Sequence, residues 1–169
     1  QAQIRASTMK RGGVGYVQPG EGAFPSMADM NRFVLDAGAI PTLTWLNGLS
    51  DGEKEVEELI ETCVAHGAAA VNIIPDRNFT SGVKDEKLAN LHDMVERADA
   101  RFLPVLVGTE MNSPGLRFVD DFASAELAPL HASFTRGMQI AYAHTILQSV
   151  AGIGYLSEWA DSHFSDVAE

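Results

Sequence analysis

Glu110 follows an apolar run, residues 102–107 (FLPVLV), in the segment Thr109-Glu110-Met111-Asn112. A carboxylate at a strand's end can ligate a hard or borderline metal, or act as a general base where burial raises its pKa. It can equally cap the next turn. Asp76-Arg77-Asn78 follows a second apolar run, with Asn72 inside it. Arg77 can grip a substrate carboxylate or phosphate, or Asp76 and Arg77 can form a bidentate ion pair that stiffens the loop. After a third run come Asn47, Asp51 and Glu53, with Trp45 at its end. Asn47, Asn72, Asn78 and Asn112 offer amide hydrogen bonds to a substrate, although asparagine is also common in turns.

Repeated units position these residues. Ser26 is an N-cap before apolar residues at helical spacing (Met27, Met30, Phe33, Val34, Ala37), and Gly38 is the C-cap. Residues 40–46 (IPTLTWL) then read as a buried strand. Val56, Leu59, Ile60, Cys63 and Val64 form the next apolar stripe, opposite Glu55, Glu57, Glu58 and Glu61. Gly67 ends that helix, and residues 68–74 (AAAVNII) give the second strand. Leu88, Leu91, Val95 and Ala98 mark a third helix before residues 102–107. Short apolar strands alternating with amphipathic helices predict an α/β fold with a parallel sheet and right-handed connections. In such folds the site lies beyond the carboxyl ends of the strands.

The flanks are less regular. Residues 11–25, rich in Gly and Pro, read as a loop with a short strand at 14–18. Residues 123–133 and 136–150 read as two helices, and 156–167 as a weaker third. Nothing divides the chain, so residues 1–169 are taken as a single domain.

A formal net charge of −11, from 12 basic and 23 acidic residues, repels phosphate backbones and anionic lipid. The expected partner is a small molecule, with no nucleic acid and no membrane. The single Cys63 excludes an internal disulfide. With no signal-peptide pattern, a cytoplasmic protein is expected. No G-x-x-x-x-G-K-[ST], H-E-x-x-H or G-x-S-x-G is present, so no nucleotide cofactor is expected, and serine or cysteine nucleophiles have little support. His66 suits a helix C-terminus, and His92 and His163 suit the surface. His144, in GMQIAYAHTILQS, reads first as a buried interhelix histidine and second as a metal ligand.

The segment 106–115 (LVGTEMNSPG), followed by Phe118-Val119-Asp120-Asp121-Phe122, resembles the late strands of the polymerase-and-histidinol-phosphatase (PHP) family of metal-dependent phosphoesterases. Residues 73–78 (IIPDRN) and 40–53 (IPTLTWLNGLSDGE) are similar to a bacterial branch of those barrels. The resemblance implies the C-terminal portion of a TIM-like barrel, an incomplete one, since a full barrel needs roughly 250 residues. It implies a divalent metal (zinc, manganese or iron), with Glu110 of Gly108-Thr109-Glu110 as a ligand and Asp120 and His144 as further candidates. The family's early His-x-His is not in this chain. The expectation is therefore a metal-dependent, phosphoesterase-like hydrolase with Glu110, Asp76 and Arg77 as catalytic residues. It would be completed by the remainder of the barrel or a homo-oligomeric partner and inactive alone. Two alternatives stay open. One is a metal-free lyase, isomerase or glycosidase acting on a sugar-like substrate, with Glu110 and Asp76 as acid and base and Trp45 as a stacking platform. The other is a non-catalytic regulatory domain.

Overall fold

A computed structural model describes residues 2–78, 84–111, 114–115 and 118–164, with Asp76 described in its backbone alone. The elements run α1 (Ala2–Thr8), α2 (Met27–Asp36), β1 (Thr42–Trp45), α3 (Asp51–Lys54), α4 (Val56–Ala65), β2 (Ala70–Ile73), α5 (Lys84–Ala100), β3 (Val105–Val107), α6 (His131–Ala151) and α7 (Glu158–His163). Short 3-10 helices at Pro75–Asn78 and Ala128–Leu130 complete the order. The sheet has three strands, all parallel, in the order β1-β2-β3. It is open, and no closed barrel forms among the described residues.

Leu43, Val71 and Val105 share one register, as do Trp45, Ile73 and Val107. Because successive side chains alternate across a strand, both rows face the same side. There they join Ile60 of α4 and Leu91, Met94, Val95 and Ala98 of α5 in the core. The other side carries Thr42, Thr44, Asn72 and Leu106. Cys63 is buried on α4, and its burial pushes the thiol up. Arg97 reaches both Asp93 and Glu57, and Arg101 also reaches Glu57, so an ion-pair network ties α5 to α4.

The caps follow the sequence. Ser26 Oγ accepts from the Asp29 backbone N–H at 3.1 Å. Gly38 and Gly67 take the left-handed conformation, with φ of +74° and +95°, that only glycine adopts without strain.

Several sequence expectations are corrected. Residues 14–18 form no strand: Val14 is 100% exposed, and the segment is held by turns such as Tyr16 N–H to Gly13 O at 3.0 Å. Phe102 does not begin β3. It takes φ +56° just past α5, where its N–H bonds to Asp99 O and that of Leu103 to Ala98 O, so these residues close the helix. The two helices expected around 123–150 are one, α6, preceded by turns and by the 3-10 helix that Pro129 initiates. The last helix is shorter than expected, Glu158–His163. No residue of α2 is buried, and Phe33 is 66% exposed. This helix leads into β1, which has no strand beyond it among the described residues, so the stripe lacks sheet to cover.

Gly137 lets α6 lie directly against β3. Val71 N–H bonds to Pro104 O and Gly108 N–H to Ile73 O, so the backbone groups of Val105 between them point away from β2. A Cβ on Gly137 would lie 2.1 Å from Val105 O. The bare glycine lets α6 cover the outer edge of β3, which would otherwise invite pairing with another chain. Gly137→Ala should lower unfolding stability by about 2 kcal/mol or more, read from urea midpoints, because neither backbone can retreat without unpacking the other.

Lys84 at the start of α5 bonds to Glu126, and this hydrogen bond holds the Glu126 carboxyl below its usual range. A depressed carboxylate pKa contributes stability above the unfolded value of about 4.3 and loses it as pH falls through the folded value. The stability difference between wild type and Glu126→Gln should therefore be present at neutral pH and shrink as pH falls through the acid range, measured by urea denaturation at each pH.

Candidate functional site

Parallel pairing brings the segments after β1, β2 and β3 to one edge of the sheet. Gly108 N–H bonds to Ile73 O at 3.0 Å, so the turn after β3 starts beside the end of β2. Arg77, in the 3-10 helix after β2, and Glu110, after β3, meet there. Arg77 Nε donates to Glu110 Oε2 at 2.5 Å, and a terminal guanidinium nitrogen reaches the same oxygen. The Arg77 side chain is 42% exposed and that of Glu110 26%, so solvent and small solutes reach the pair. Lys87 Nζ on α5 donates to Arg77 O at 3.1 Å, placing a second cation behind the first.

Asn72 lies one register row inside this rim, on the side of the sheet that α4 and α5 leave uncovered. A Cβ on Gly108 would sit 3.3 Å from Asn72 Oδ1, so the glycine keeps the approach to that amide open. No hydrogen bond joins the Asn72 side chain to another described residue.

The other asparagines brace the rim. Asn78 is 0% exposed, and its Nδ2 donates to Leu46 O and Ile74 O, both at 3.3 Å. One buried amide thus ties the end of β1 to the end of β2. Asn47 Oδ1 accepts from Leu49 N–H at 3.2 Å, an Asx turn, and Asn47 O accepts from Asn90 Nδ2 at 3.2 Å. Glu53 turns back onto β1, its Oε1 accepting from Leu46 N–H at 2.6 Å. Gly48 lies so close to α5 that a Cβ there would be 2.7 Å from Asn90 Nδ2.

The expected site residues therefore divide. Arg77 and Glu110 come together, with Asn72 beside them. Asn47 and Asn78 adjoin them and brace the turns through Asn47 Oδ1 and Asn78 Nδ2; Asn78, fully buried, does not address a substrate from this position. Trp45 is 1% exposed within the core, so its ring offers no stacking platform. Arg77 pairs with Glu110; the side chain of Asp76 and all of Asn112 lie outside the described residues. Asp120 is buried.

His144 stands at the other end of the sheet. Its Nε2 lies 3.0 Å from Gly38 O, ahead of β1, and its Nδ1 accepts from Tyr155 N–H at 2.9 Å. It is the buried interhelix histidine and does not meet Glu110. Among the described residues no group of three His, Cys, Asp or Glu side chains is placed to hold a metal ion. Of the candidate ligands, Glu110 follows β3 at the carboxyl end of the sheet and His144 lies at the amino end, so the two do not share one site.

Sequence reasoning missed Lys87 and Asn90, which sit three apart on α5, one helical turn, and reach the turns after β2 and β1. Their spacing was legible; that they point toward the strand ends needed the packed helix.

Compared with known proteins, the chain matches no family model, no curated protein and no solved structure. Among the described residues no helix is long and apolar enough to cross a membrane.

Asn78→Ala should lower stability by about 2 kcal/mol, measured by thermal or urea unfolding, since it leaves buried strand-end carbonyls without a donor. An unchanged midpoint would mean that the amide does not brace the rim.

Proposed function

We propose that the chain carries the anion-recognition part of a hydrolase site for small phosphoester-like substrates, at the carboxyl ends of β1, β2 and β3. The observation that carries this is the solvent-accessible Arg77–Glu110 pair bridging the ends of β2 and β3. Arg77 is a planar donor suited to a phosphoryl or carboxylate group, with Lys87 close behind it. Glu110 holds that donor in place while the site is empty. With an anion on the guanidinium, Glu110 stands next to it and accepts the proton of an attacking water. The free amide of Asn72 supplies a further contact.

We further propose that the three strands are part of a larger TIM-like barrel. This reading is supported by parallel strands joined through helices and by the outer edge of β1, which is unpaired among the described residues. In this reading further strands, from the same barrel or a second copy, complete the site.

Binding of inorganic phosphate, followed by 31P NMR on the 169-residue chain, tests the recognition step separately from turnover. Wild type should bind saturably. Arg77→Ala should abolish binding, and Glu110→Gln should tighten it by about tenfold, because removing the competing carboxylate charge frees the guanidinium. In any preparation that turns over p-nitrophenyl phosphate, Glu110→Gln should cost roughly a hundredfold in rate. Phosphate binding that ignores both substitutions would refute the proposal.

A further inference from the structure

One side of α6 is committed to the rest of the molecule. Phe134 joins the core, Ser133 Oγ donates to Asp99 Oδ2 at 2.5 Å, Gly137 lies against Val105 O, and His144 Nε2 lies 3.0 Å from Gly38 O. The helical repeat places these positions on one side of the cylinder. Met138, Tyr142, Ile146 and Val150, each four residues from the last, form a ridge on the opposite side. All four are exposed, Tyr142 by 71% and Val150 by 80%.

The outward face of a surface helix ordinarily carries charge. This one carries none. Residues 137–151 (GMQIAYAHTILQSVA) contain no Asp, Glu, Lys or Arg, in a chain with 12 basic and 23 acidic residues. Arg136, just before them, is paired with Asp99. The hydroxyls flanking the ridge turn back onto their own helix, Thr145 Oγ1 donating to Ala141 O at 2.8 Å and Ser149 Oγ to Ile146 O at 2.9 Å. The ridge thus offers a partner aliphatic and aromatic surface with no ion to desolvate.

Charge and spacing select the partner. Two copies of a chain at −11 repel each other, and the repulsion is least where the facing surfaces carry no charge. A strongly basic or acidic partner gains nothing from this face, which has no ion to pair with. The ridge also matches itself. About a two-fold axis at the level of residue 144, an antiparallel α6 sets Met138 against Val150 of the second copy and Tyr142 against Ile146. Gln139 then meets Ser149. Apolar residues face apolar ones, and neutral polar residues face each other. Such a contact uses one patch twice and closes at two copies.

We propose that the outward face of α6 is a self-association surface, on which a second copy of this chain seats its own α6 antiparallel through Met138, Tyr142, Ile146 and Val150. A single helix pair buries less than a standard interface, so the dimer is weak, with a dissociation constant on the order of 0.1 mM. This surface is distinct from the unpaired outer edge of β1 and from the Arg77–Glu110 rim, and it stands or falls independently of both.

Sedimentation equilibrium of the 169-residue chain, from the low micromolar to the millimolar range, is the test. The mass should rise from one copy to two and stop there. Added sodium chloride should tighten the dimer, because it screens the repulsion between two acidic chains, whereas a contact held by ion pairs weakens. Ile146→Glu and Tyr142→Lys should each raise Kd by about tenfold or more, since each places a charge in the contact. Lysine reduces the net charge of the chain, so its effect cannot come from added repulsion. Both positions are exposed in the single copy, and thermal midpoints at low concentration should not move. In a mixture of isotope-labelled and unlabelled wild type, filtered NOEs should link the Tyr142 ring of one copy to the Ile146 methyls of the other. A mass fixed at one copy, a mass that climbs past two, weakening by salt, a dimer indifferent to both substitutions, or a dimer lacking that NOE would overturn the proposal.

Discussion

Parallel pairing of β1, β2 and β3 is the constraint from which the rest of the molecule follows. With Leu43, Val71 and Val105 in one row, every strand ends at the same edge, and the turns that follow converge there. Asn78 can then tie the end of β1 to the end of β2, and Arg77 can meet Glu110 across 33 residues of chain. Antiparallel strands would send these residues to opposite ends of the sheet.

The same constraint gives the two ends opposite electrical character. A helix that joins parallel strands must run back against them, so its N-terminus lies near the carboxyl ends and its C-terminus near the amino ends. The C-terminal turns at Gly38, Gly67 and Phe102 each precede a strand, which gathers helix carbonyls at the amino end. The carboxyl end gathers helix N-termini with Arg77 and Lys87.

Much of this was legible in the sequence, and the failures have physical causes. The caps at Ser26, Gly38 and Gly67 and the stripe of Ile60 and Cys63 follow from local rules that tertiary packing did not override. Glu110 and Arg77 stood out because both follow apolar runs, but the sequence suggested an Asp76–Arg77 pair; the partner across the sheet depends on strand order. Phe102 looked like a strand residue because it is apolar, yet it serves as a left-handed helix stop, a role that residue type alone does not reveal. Gly137 lay unremarked inside the helix read at 136–150; it is the contact that lets α6 close the β3 edge, visible only from Val105 O. Trp45 and Asn78 were taken for substrate contacts because aromatic and amide side chains at strand ends often are; burial, which one sequence does not report, assigns them to the core and to a backbone tie.

The most direct test of the account is the register of the sheet, read by NMR on the isotope-labelled chain. The parallel arrangement requires slow hydrogen exchange at the Gly108 and Val71 amides, which donate to Ile73 O and Pro104 O. It also requires cross-strand contacts linking Leu43 to Val71 and Val71 to Val105. Close Hα–Hα contacts between these strands, the mark of antiparallel pairing, would contradict it, and Arg77 would then have no route to Glu110.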